Sequence, residues 1–243
     1  LWWLQKVKMR VNERFEKWGA LPEYRDAEVL VELADRFAIH QLLLCVASRH
    51  GCPEVMQALG SIDAGWANSE GGIAGIRKLL TLAAAEGVEG WQMTNRDDAI
   101  IGLGFIPRGN VLDSAILETL INILAASDRH TFHRMTAAQS LAKGWGAEVI
   151  DTFVSLLPEH SQLEVDKDDT GTIETLVNLL GELLLTEKGQ RAASVASLEK
   201  LARLKTYTYF GPYVYDMGGE WITINMEKLT LLAREELDRR SKL

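Results

Sequence analysis

The chain has 243 residues and a net charge of −8 at pH 7, so it can bury a substantial core in one or two domains. Its 47% apolar and 25% charged residues exclude a disordered chain, and its acidity argues against nucleic acid or an anionic membrane as the main partner. No run reaches the roughly 18–20 apolar residues of a transmembrane helix. The cysteines, Cys45 and Cys52, are too few for a disulfide framework and are expected to be free thiols.

The first third of the chain is predicted to be helical, and it contains one copy of a sequence pattern that occurs twice. Apolar residues recur at helical spacing over residues 2–18, and Gly19 stops that pattern. Residues 45–59 run from a small-residue helix end, through a glycine, into a second helix that opens Glu-Val-Met. Residues 139–153 do the same and open Glu-Val-Ile. Such self-similarity predicts stacked antiparallel helical hairpins, each unable to bury its apolar face alone.

Helical periodicity continues through the middle of the chain after a loop-like stretch that ends at residue 72. Glycine, proline and capping residues punctuate this pattern, which predicts an all-α arrangement. The expected helices cover residues 73–86, 95–101, 111–126, 131–144, 147–157, 172–186 and 189–204.

Two segments carry a resemblance to a known family. Residues 137–142, followed by Gly146 and then by residues 149–157, resemble an armadillo repeat, and residues 71–80 resemble the start of another such final helix. The resemblance implies an α-solenoid of armadillo or HEAT type, with extended surfaces for other proteins and with no cofactor. The binding asparagines of that family's groove have no clear counterpart here, so no peptide-binding residue is carried over.

The C-terminal region differs from the rest because its aromatic residues are concentrated. Alternating β-branched and aromatic residues on both sides of Gly218-Gly219 predict a β-hairpin. A final helix over about 225–240 follows, with Met226, Leu229, Leu232 and Ala233 on one side. We therefore expect a helical repeat-like domain over residues 1–205. A small unit of hairpin and terminal helix over residues 206–243 is expected to pack on it.

Tyrosine and tryptophan are enriched at protein interfaces because they combine a large apolar area with a polar group. An alternative interpretation is open: the hairpin caps the end of the helical stack, as terminal units of solenoids must. Opposite faces of the hairpin can serve both roles. The candidate interaction residues are Tyr207, Tyr209, Tyr213, Tyr215, Trp221, Trp2 and Trp3.

Three other patterns superficially match ligand sites. Residues 166–174 resemble the first nine positions of an EF-hand calcium loop, but Val177 occupies the position of the glutamate that completes such a site. Asp168, Asp169 and Thr172 are therefore expected to cap the next helix. His130 and His133 lack a third ligand nearby in sequence and are expected to be surface or capping residues. Residues 102–109 lack the lysine of a phosphate-binding loop. No metal, cofactor or catalytic residue is predicted.

The sequence therefore favours a non-catalytic protein–protein interaction scaffold or structural subunit of a larger assembly, inside the cell, with other protein subunits as partners. Two alternatives stay open: an organellar enzyme whose pocket residues are scattered along the chain, and a helical accessory domain of a longer enzyme. Ser241-Lys242-Leu243 matches the tripeptide of peroxisomal import. A native terminus there predicts a peroxisomal location, and otherwise the cytoplasm or another organelle is expected.

Overall fold

The computed structural model describes residues 65–85, 91–158, 170–212 and 219–242. Within these ranges the protein is mostly helical, with one small pair of strands, which confirms the predicted all-α class with its hairpin. The elements are α1 (Glu70–Ala84), α2 (Trp91–Leu103), α3 (Asp113–Ala125), α4 (Thr131–Trp145), α5 (Ile150–Leu156), α6 (Thr170–Leu184), α7 (Glu187–Ala192), α8 (Val195–Arg203), β1 (Tyr207–Pro212), β2 (Gly219–Ile224) and α9 (Glu227–Ser241).

The chain divides into two compact units, residues 1–120 and residues 121–243. The predicted domain boundary at residues 205 and 206 lies inside the second unit. The first copy of the repeated sequence pattern, residues 45–59 with both cysteines, lies outside the described residues. Solenoid stacking of helical hairpins therefore stays a prediction.

In the first unit, α1 begins three residues earlier than the sequence pattern predicts. The Ser69 hydroxyl accepts a hydrogen bond from the Gly72 amide at 3.1 Å and donates one to the Trp66 carbonyl at 2.7 Å. A β-carbon at position 72 would overlap that same carbonyl oxygen. The glycine that indicates a loop thus belongs to the first helical turn, because only glycine fits so close to Trp66. From this start α1 packs against α2.

The second unit is organised around α6, which contacts α4, α5, α7 and α9. The first turns of α4 and α6 approach closely, since a β-carbon at Gly171 would lie 3.0 Å from the Thr131 methyl group and 3.1 Å from the Met135 sulfur. α8 packs on α5 and α9. The fully buried side chains at the centre of this unit are Leu141, Ile150, Phe153, Leu180, Leu198 and Leu201.

The predicted single helix over residues 189–204 is wrong, because the structure divides it into α7 and α8. α7 ends at Ala192, and the Ser194 hydroxyl accepts the amide proton of Ser197 at 3.1 Å to begin α8. The Asp151 carboxylate on α5 accepts the amide proton of Ser194 at 2.9 Å. A residue 43 positions away in the chain thus stabilises the break, and periodicity within the segment does not reveal it.

The predicted β-hairpin is confirmed. β1 and β2 are antiparallel, and their register runs from Tyr207 opposite Ile224 to Pro212 opposite Gly219. The hairpin joins the end of α8 to the start of α9, and these two helices pack against each other. The two strands therefore emerge from one helix pair.

Candidate functional site

An open groove of about 460 Å³ lies in the second unit, between the first half of α9 and the segment that joins α8 to β1. α8, which leads into the joining segment, packs against α9. The residues that line it are Leu204, Lys205, Thr206, Met226, Glu227, Thr230, Leu231 and Arg234.

Two side chains of α9 hold the walls of the groove in place. The Thr230 hydroxyl donates towards the carbonyl oxygens of Leu201 and Leu204, each at 3.4 Å. The Arg234 guanidinium donates to the Ala202 carbonyl through Nε at 3.2 Å and Nη2 at 3.0 Å. These bonds engage carbonyl groups at the carboxyl end of α8, where the Leu201 carbonyl also accepts the amide proton of Leu204 at 3.2 Å.

The groove is apolar in its middle and charged along its rim. Leu204, Met226 and Thr230 are buried, whereas the Leu231 side chain on α9 is 57% exposed. The rim carries two exposed cations, Lys205 and Arg234. Glu227 supplies a single carboxylate to the lining. The groove thus has a local excess of positive charge in a chain whose net charge is −8.

Tyr207 stands directly beside the groove in the chain, but its side chain is fully buried, with 0% exposure. Its hydroxyl donates to the Pro158 carbonyl at 2.8 Å, and burial raises the pKa of Tyr207 to about 12. The interaction prediction at Tyr207 is therefore corrected. This residue fits the capping alternative, because it fixes the hairpin to the end of α5 and offers no surface to a partner.

The other six predicted interaction residues remain untested. Tyr209 pairs with Ile222, and Trp221 pairs with Phe210, in the backbone register of the hairpin. The side chains of Tyr209 and Trp221 lie outside the parts that the structure describes. Tyr213, Tyr215, Trp2 and Trp3 lie entirely outside them.

The calcium-loop resemblance does not persist in three dimensions. α6 begins at Thr170, the fifth position of the pattern, so positions five to twelve are helical and do not form a twelve-residue loop. Val177 is buried in that helix. Thr172 is also buried within α6, which corrects its predicted capping role, while Asp168 and Asp169 lie outside the described residues.

The two histidines have different roles. His130 caps α4, because its Nδ1 accepts the amide proton of Phe132 at 3.2 Å, as predicted. His133 is only 2% exposed, which corrects its predicted surface position. The two rings meet edge to face, with centroids 5.9 Å apart. Among the described residues, no three His, Cys, Asp or Glu side chains form a group that could hold a metal ion.

The glycine-rich segment over residues 102–109 is closed by its own contacts. The Asp113 carboxylate accepts the Gly109 amide proton at 2.6 Å and lies 3.5 Å from the Arg108 guanidinium. The Asn110 side chain donates to the Pro107 carbonyl at 2.9 Å. The Gly109 amide and the Arg108 side chain are thus engaged by the first residue of α3, and the segment acts as a helix-capping turn.

A second charged cluster lies at the far end of α9. The Glu236 side chain is 2% exposed and receives two hydrogen bonds from Arg239 and one from Arg240, each at 2.7 Å. These arginine bonds lower the pKa of Glu236 to about 2, although burial opposes them. Arg240 also donates to the carbonyl groups of Gln190 and Ala193, at 3.0 Å for Ala193. This cluster is internally satisfied and joins α9 to the carboxyl end of α7.

The groove residues on α9 were not identified from the sequence. The predicted apolar side of that helix included Met226, which lines the groove, but not Leu231 or Arg234. The available signal was Leu231, an apolar residue that lies outside the side of the helix predicted to be buried. Exposed leucines are common, however, so this signal alone does not identify a site.

None of the helices described by the structure has the length and apolarity to cross a bilayer. No protein-family model, curated protein or solved structure matches this chain. The armadillo resemblance therefore stays a prediction.

Proposed function

We propose that the chain is a non-catalytic subunit of a larger assembly and that it contacts a partner protein through the groove on α9. The observation that carries this proposal is the combination of an apolar groove with a largely exposed leucine at its edge. Leu231 lines the same groove as the buried Leu204 and Met226 and as the charged residues Lys205, Glu227 and Arg234. Protein interfaces have this arrangement, in which an apolar centre is enclosed by a polar rim.

The position of the aromatic hairpin supports the same proposal. Thr206 lines the groove and immediately precedes β1, while Met226 lines it just after β2. The groove and the hairpin therefore form neighbouring parts of the second unit. Tyr209 and Trp221 belong to β1 and β2, so substitutions in the hairpin test whether it adds to the contact.

The test is the mass of the native assembly that carries this chain, purified gently from its source with every component identified and then reconstituted from pure proteins. We expect a stable complex with at least one other protein. Changing Tyr209, Tyr213 and Trp221 together to alanine then shows whether the hairpin contributes. Phe132→Ala is the matched control, because Phe132 is an aromatic residue that is 52% exposed on α4.

A chain that is recovered only as a monomer, or only with copies of itself, would contradict the proposal. Loss of the complex in the hairpin variant but not in Phe132→Ala would place part of the contact on the strands. Retention in both variants would exclude these aromatic side chains from the contact, and the groove variants described below then test the groove.

A further inference from the structure

Building on the proposed function, we infer that the groove binds a short, extended, acidic segment of the partner, with a bulky apolar side chain against Leu231 and carboxylates beside Lys205 and Arg234. The dimensions of the groove indicate the length of this segment. Met226 and Arg234 are eight residues apart, which on a helix corresponds to roughly 12 Å. An extended chain covers that distance with about four residues.

The charge of the groove indicates an acidic ligand. Its lining contains two cations and one carboxylate, whereas the chain as a whole carries −8. Lys205 is exposed and makes no ion pair with the described residues. Other basic side chains near the end of α8 are engaged: Arg203 pairs with Glu199 at 3.1 Å, and Lys200 reaches the Ser155 carbonyl. Lys205 is therefore the cation available to a ligand on this wall.

Arg234 supplies the second cation in a fixed position. Its Nε and Nη2 atoms both donate to the Ala202 carbonyl, which restrains the guanidinium plane. The Nη1 atom of Arg234 donates no hydrogen bond to the described residues, so it can donate to a carboxylate. A restrained guanidinium loses little conformational entropy on binding and forms strong charge-assisted hydrogen bonds. Leu231 on α9 and Leu204 on the opposite wall can contact an apolar side chain between the carboxylates.

The experiment measures fluorescence anisotropy of two labelled eight-residue peptides titrated with the full chain. One peptide alternates leucine with aspartate, and the other replaces each aspartate with lysine. We expect the acidic peptide to bind and the basic peptide to bind at least tenfold more weakly. Lys205→Glu and Leu231→Gln should each lower the affinity for the acidic peptide about tenfold. Lys205→Glu replaces an attraction to the peptide carboxylates by a repulsion, and Leu231→Gln removes about half of the apolar contact of a buried leucine.

The matched controls change the same residue types, a lysine and a leucine, at exposed positions outside the groove. Lys228→Glu changes an exposed lysine on α9, and Leu185→Gln changes a leucine that is 55% exposed at the end of α6. Neither change should alter binding by more than about twofold. Added salt should weaken binding in the wild-type chain and much less in Lys205→Glu.

Equal binding of both peptides, no binding of either, or unchanged binding in Lys205→Glu and Leu231→Gln would overturn the inference. Sedimentation that shows Leu231-dependent self-association would also overturn it, by assigning the groove to a second copy of the chain. A native complex that both groove variants retain would contradict this inference and the assignment of the contact to the groove, while the proposed role as a subunit of an assembly would stand. Specific peptide binding without any native complex would contradict the proposed function alone.

Discussion

The two halves of α9 contain similar residues but use them in opposite ways. In the first half, Glu227 and Arg234 are exposed at the rim of an open groove. In the second half, Glu236 is buried and bonded to two arginines that follow it in the helix. The difference shows that residue type does not decide the role of a charge. The partners that the rest of the fold supplies decide it.

The physical basis of this contrast is the cost of burying a charge. A carboxylate withdrawn from water must be paired and hydrogen-bonded, and the Glu236 carboxylate satisfies both conditions within its own protein. The groove end of α9 stays in water, where its charges have a low cost and are available to another molecule. Stability should therefore depend on the second half, and binding on the first.

The largest expected effect on stability comes from Glu236→Gln. The glutamine keeps the volume but loses the charge that three arginine hydrogen bonds require, so the free energy of unfolding should fall by about 2 kcal/mol. Urea unfolding followed by circular dichroism measures it. Glu235→Gln is the control, because Glu235 is exposed on the same helix. Equal effects in the two variants would show that the buried cluster has no special role.

The pH dependence of unfolding tests the same cluster. The pKa of Glu236 is about 2 in the folded chain against an ordinary 4.5, so its stabilising contribution is complete above about pH 5 and is lost as the pH falls from there towards 2. The stability difference between the wild-type chain and Glu236→Gln should therefore shrink over that interval. A difference that stays constant from pH 6 to pH 2 would contradict the assignment.

A smaller effect is expected at Tyr207, which anchors the hairpin next to the open groove. Tyr207→Phe removes the hydrogen bond to the Pro158 carbonyl and should lower the free energy of unfolding by about 1 kcal/mol. Because burial raises the tyrosine pKa from 10.0 to about 12, the unfolded chain ionises first, and wild-type stability should fall as the pH rises through this range. Phenylalanine should remove that part of the alkaline decrease, which urea titrations at pH 9 and pH 11 compare.

The smallest effect on stability is expected at Leu231, where the largest effect on binding is proposed. Leucine and glutamine have similar helix propensities, and the side chain is 57% exposed, so Leu231→Gln should change the free energy of unfolding by less than about 0.5 kcal/mol. The same urea titration measures it. A loss above 1 kcal/mol would mean that Leu231 supports the fold, and the contrast between the two halves of α9 would fail.

Much of the local structure is predictable from neighbouring residues. Helical spacing predicts α3 and α4 to within two residues at each end, and the alternation around Gly218-Gly219 predicts the hairpin. These signals are local, because the hydrogen bonds of a helix and the turn of a hairpin connect residues close together in the chain. Prediction fails at the break between α7 and α8, where Asp151 binds Ser194 across 43 positions.

The sequence by itself determined the all-helical class, most helix positions and the existence of the aromatic hairpin. Only the tertiary structure decided that Tyr207 is buried, that Glu236 is bonded to two arginines of which Arg240 also reaches the end of α7, and that Leu231 borders a groove. The reason is the range of the contacts. Tyr207 bonds a carbonyl 49 positions away, and Arg240 bonds one 50 positions away, so the environment of each residue depends on which distant elements pack beside it.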